Sequence, residues 1–209
     1  MFAFAQPLAA KQSNPPRLIE STRGTPIAEK LRPGDESVVV KRGNVISTFV
    51  DDRVLGVQQD LDERAEFADA IAVVEPGETN SYLTENGEWI QSKLDLRLVH
   101  SLKTPVPPIF DRDGHATVEH SGGELRIKGV LVRVTGYYLL KPGERYLVFL
   151  KAHPRATTVG FIGMQLRITP DDHIAPIHLD SGREATAPSA LYGMTLKQIE
   201  DEFSRRMKR

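Results

Sequence analysis

The chain has 209 residues, 40% of them hydrophobic and 26% charged, with a net charge of −1 and no cysteine. That length and balance fit one domain with a good core, with or without an arm. They exclude disulfides, thiolate metal sites and a cysteine nucleophile. They give no electrostatic basis for a nucleic-acid partner, and no apolar run approaches the roughly 20 residues of a membrane-crossing helix.

The first residues leave two readings open. Ala3-Phe4-Ala5 has the small-x-small form of a signal-peptide cleavage site, yet no basic segment precedes it and the apolar part is short. One reading is an unstructured start; the other is the remnant of an export signal. Export implies a periplasmic or secreted, extracytoplasmic protein, and its absence a cytoplasmic one. Residues 1–36 are rich in Pro, Ser, Arg and Gly and are expected to form a flexible or extended arm. Residues 37–59 hold two strand-forming runs, Val38-Val39-Val40 and Val45 to Val50, around the turn-like Arg42-Gly43-Asn44. They are expected to form a hairpin, or an arm that adds to a sheet edge.

Residues 60–180 carry the pattern of a β-barrel domain. Asp60-Leu61-Asp62-Glu63 opens a short helix with a capping box, and Leu61, Ala65 and Ala68 form its apolar stripe. Ala70 to Val74 reads as a strand, ended by Glu75-Pro76-Gly77-Glu78 because proline cannot donate to a ladder. From Glu88 to Lys103 the alternation is clear. Ile90, Leu94, Leu96, Leu98 and Leu102 share one face, and Gln91, Lys93, Asp95 and Arg97 the other. One solvated face implies an antiparallel sheet. Thr104 to Gly114 is a proline-rich loop.

The stretch from Gly122 to Ala152 is the densest in strand formers. Leu125 and Ile127 alternate with polar residues, the phase shifts at Gly129, and Val130, Val132 and Val134 continue. A glycine at such a shift predicts a bulge or a barrel corner. Lys141-Pro142-Gly143-Glu144 predicts a type II turn. Tyr146 to Leu150 has no polar residue and predicts a strand buried on both faces. Thr157 to Gly163, Met164 to Thr169 and the vicinity of Ile174 and Ile177 supply the last strands. Residues 181–209 comprise a loop and a C-terminal amphipathic helix, capped by Thr195 and Gln198, with Leu196, Ile199, Phe203 and Met207 on one face.

The series Ala68 to Val74, Ser101-Leu102-Lys103, Gly122-Gly123 and Leu140 to Leu150 resembles a group of bacterial, often exported, proteins with netrin-like cores. That group shares the OB-type barrel of tissue inhibitors of metalloproteinases. The resemblance implies an OB-like, antiparallel, mainly β barrel, with a short helix before it and the C-terminal helix after it. It implies export, and no activity. The inhibitory cysteine of those domains has no counterpart here.

Chemistry-bearing residues are few. Asp111, Asp113, His115 and His120 lie within ten residues, which suits either a divalent metal site or ordinary turn chemistry around Asp113-Gly114. A five-residue spacing puts His115 and His120 on opposite faces of a strand. His173 and His178 repeat that spacing, and Asp171-Asp172 reads as a turn. Gly122-Gly123 reads as a turn or as a close approach to a ligand. Tyr82 and Trp89 flank Asn86-Gly87, so an aromatic-lined barrel face is a further candidate surface. No nucleophile elbow, phosphate loop or dinucleotide fingerprint is present, and neither catalytic residue nor cofactor is assigned. The reading is a non-enzymatic β-barrel binding module with a protein or cell-envelope partner. The alternative is a metal-dependent enzyme on the Asp/His loop at 111–120.

Overall fold

The structure is a computed structural model; it describes residues 15–41, 65–104, 108–134, 140–152, 159–177 and 191–206. The described elements in chain order are β1 (Arg17–Glu20), α1 (Ile27–Lys30), β2 (Ser37–Lys41), β3 (Ala70–Leu83), β4 (Ile90–Lys103), β5 (His115–Ser121), β6 (Glu124–Ile127), β7 (Val130–Val134), β8 (Arg145–Ala152), β9 (Val159–Ile168), β10 (Ile174–Ala175) and α2 (Leu196–Arg206). Residues 65–67 are helical and lead into β3.

Five strands close a barrel. β3 pairs with β4, β4 with β5, β5 with β9, β9 with β8, and β8 returns to β3. Every pairing is antiparallel except β5–β9, which is parallel and joined through Val118 and Val159. This is the five-stranded Greek-key arrangement of an OB-type barrel. A second, four-stranded sheet runs β1-β2-β7-β6, with β1–β2 and β2–β7 parallel.

Strand alternation divides the apolar residues among three cores. All five barrel strands send residues inward, among them Ala72, Leu94, Leu96, Val118, Tyr146, Val148, Leu150 and Val159. On the outer side of β3, β8 and β9, Ile71, Val73, Leu147, Phe149 and Leu166 pack under Ile199 and Phe203 of α2. Tyr146 to Leu150 is therefore buried on both faces, as its unbroken apolar run predicts. The third core joins Ile19, Ile27, Val38 and Val40 to Ile127, Val130, Val132, Val134 and Ile90. Residue 92 on the inner face of β4 is a fully buried serine between Ile90 of the third core and Leu94 of the barrel.

Several expectations are corrected. Residues 1–36 were expected as an arm; β1 and α1 lie within them, and Ile19 and Ile27 are buried in the third core. Pro76 does not end β3. The strand runs on to Leu83, and Pro76 to Thr79 forms a bulge opposite β4, the place where a strand tolerates proline. Gly129 is neither bulge nor barrel corner. Ile127 pairs with Val130, and Lys128 and Gly129 have φ of 50° and 84°, the two positive angles of a type I′ hairpin turn. The stretch Gly122 to Ala152 is shared between two sheets, β6 and β7 in one and β8 in the other. The sheets are not antiparallel throughout. Val45 to Val50, Asp60 to Glu63, Ala3 to Ala5, Asp180 to Pro188, His178 and Met207 lie outside the described residues.

Candidate functional site

The outward side of β3, β4 and β5 carries polar residues because those strands alternate apolar-in, polar-out. Register sets them in rows. Tyr82, Gln91 and Ser121 form one row, Asn80, Lys93 and Glu119 the next, then Asp95 with Thr117, then Glu75, Arg97 and His115. Lys93, Arg97 and Thr117 are exposed.

At the loop end, the Tyr82 hydroxyl donates to the Glu119 carboxylate, and Lys93 Nζ stands 5.6 Å from the centre of the Tyr82 ring. Partial burial, then the adjacent carboxylate, pushes the Tyr82 phenol up to about 12. Trp89 Nε1 donates to Ser121 Oγ at 2.6 Å. The connecting turn is tight: Thr84 N donates to Trp89 O at 2.9 Å and Gly87 N to Thr84 O at 2.7 Å. At the other end, His115 Nδ1 lies 3.1 Å from Asp95 Oδ2, and Arg97 pairs with Glu75.

The four sequence-predicted residues at 111–120 do not converge. Asp111 Oδ1 accepts from the backbone N–H of His115 at 2.8 Å and of Asp113 at 2.9 Å. These amides hold its carboxyl below the usual range, with the His115 amide the larger cause. Asp111 thus organises the turn that starts β5, and Asp113 is exposed on it. His115 points outward to Asp95. His120 has the parity of the inward Ala116 and Val118 and lies beside Phe161, ring centres 6.4 Å apart. Burial holds its imidazole below the ordinary histidine value. Among the described residues no three His, Asp or Glu side chains are grouped to hold a metal ion. His173 turns back on its own loop, with Nδ1 2.9 Å from Asp171 O.

Comparison with protein-family models, curated proteins and solved structures finds no match to this chain. The site therefore rests on its own geometry. Gly122 and Gly123 serve the fold: they turn β5 into β6 with φ of 98° and 129°, and a Cβ on Gly123 would collide with the hydroxyls of Ser92 and Ser81. The pairings of Lys93 with Tyr82 and of Asp95 with His115 were missed from sequence. The signal present was the alternation Gln91, Lys93, Asp95, Arg97; the cross-strand register that aligns it with β5 is a tertiary property.

Proposed function

We propose that this chain is a non-enzymatic binding module, working outside the cytoplasm, that receives a protein or cell-envelope partner on the outward face of β3, β4 and β5. The observation that carries the reading is where the barrel is left open to solvent. Its interior is filled by side chains from all five strands, and its β3–β8–β9 side is closed by α2. The β3–β4–β5 face keeps Lys93, Arg97 and Thr117 exposed. Lys93 and Arg97 alternate there with Glu75, Asp95 and Glu119, so both signs are interspersed. Mixed charge beside a tyrosine suits a polar protein surface; a polyphosphate chain selects a one-signed groove. The extracytoplasmic setting, and kinship with netrin-like domains, are drawn from the resemblance of the Leu140 to Leu150 block.

Two measurements test it. Fractionation of native cells should place the protein outside the cytoplasm. Affinity capture on the purified protein should recover a partner from that fraction, with recovery falling at least tenfold in Lys93→Glu/Arg97→Glu while the melting temperature holds. Capture unchanged by the double reversal would contradict the assigned face. Stoichiometric zinc or iron in the purified protein, lost in His115→Ala/His120→Ala, would favour the metal-dependent enzyme instead.

A further inference from the structure

The three cores are unequally connected. Among the described residues, the barrel interior and the layer under α2 take no buried residue from before Ala68. Residues 15–41 enter the third core alone. A polar seam of Ser81, Ser92, Gly122 and Gly123 lies between that core and the barrel: Ser81 and Ser92 hydroxyls are 2.8 Å apart, and Ser92 donates to Gly122 O. A unit whose apolar contacts form a separate cluster opens separately. When residues 15–41 leave, they uncover the β7 edge and the apolar side chains of Ile90, Ile127, Val130, Val132 and Val134.

We propose that β2 is an exchangeable strand donor: Ser37–Lys41 of one copy of this chain completes the β7 sheet of a second copy. The structure itself specifies the occupant. The segment that fits is the one seated there, in register from Ser37 on Leu131 to Val40 on Val134, with Val38 and Val40 fully buried. The other ties of the unit run to the rest of the molecule: Ile27 N to Gly87 O at 2.8 Å, Gly24 N to Glu88 Oε1 at 2.6 Å and Leu131 N to Glu36 O at 3.1 Å. All of them re-form in the exchanged pair. Residues 42–64 join the unit to the barrel, and roughly 3.3–3.6 Å per extended residue gives enough reach to a neighbouring molecule. Exchanged and unexchanged arrangements share their contacts, so concentration decides between them, against the roughly millimolar effective concentration of a tethered segment.

The cysteine-free chain makes the test clean. Val39 and Arg133 are register partners across β2–β7. Val39→Cys and Arg133→Cys, prepared separately and mixed under mild oxidation, should yield a disulfide-linked mixed dimer several-fold above either variant alone, rising with protein concentration. The double variant in one chain, oxidised when dilute, should close internally. Internal closure without excess mixed dimer at any concentration overturns the exchange. Unmodified light and isotope-labelled chains mixed at high concentration provide a second reading without cysteines. Dimers of mixed mass by native mass spectrometry support the proposal, and monomers alone up to millimolar protein contradict it.

Discussion

Phe149 has no exposed surface and meets the Phe203 ring edge-on, 6.0 Å between centroids, at the contact between barrel and helix. Phe149→Ala should cost about 3–5 kcal/mol, the range for deleting a buried aromatic. Chemical denaturation measures it, and a loss under about 1 kcal/mol would mean that the strand is not in the core. His120 makes a prediction about pH. Burial beside Phe161 favours its neutral form in the folded state, so the unfolded chain takes up the proton first. Stability should fall as the pH drops through the unfolded histidine value of about 6.5 and on toward the depressed folded one. Above about 6.5 this residue should contribute no pH dependence. Denaturation midpoints between pH 7.5 and 5, compared for the natural chain and His120→Leu, isolate the effect; parallel curves would place His120 in water. At this scale the opposite orientation of His115 and His120 was legible from their spacing. The partners Asp95 and Phe161 were not, because each comes from another strand.

α2 illustrates how much of an element is written locally. Gln198 N donates to Thr195 Oγ1 at 3.2 Å and Thr195 N to Gln198 Oε1 at 2.8 Å, the reciprocal box that the sequence implies. Ile199 and Phe203 are buried as their helical spacing predicts. A helix of this length is marginal alone and holds through packing. Truncation before Met194 should lower the melting temperature by several degrees and raise binding of a hydrophobic dye. Unchanged melting would assign the helix to a partner instead. Thr195→Ala should cost about 1 kcal/mol, read as a shift in the denaturation midpoint. β4, β8 and the Lys141–Glu144 turn were legible for the same reason, since alternation, an unbroken apolar run and Pro-Gly are local signals. The turn closes with Glu144 N on Lys141 O and Gly143 at φ 82°. β3 was misread at Pro76, because a bulge that tolerates proline is made by the partner strand.

At the scale of the whole molecule, the barrel was legible as a class and its wiring was not. Nothing local to Val38, Val130 or Ile90 says that they meet; the type I′ turn at Lys128-Gly129 brings β7 to β2, and parallel pairing carries no turn signal of its own. The candidate face was half legible, as the polar side of β4, and its other half came with the β5 register. The most direct test of this face is site-specific photo-crosslinking in native cells. A photoreactive residue replacing exposed Thr117 on β5 is compared with one replacing exposed Lys197 on α2. A discrete partner captured through position 117, not through 197, and lost on Lys93→Glu/Arg97→Glu, is the predicted result. Equal capture from both positions, or capture from 197 alone, would contradict it.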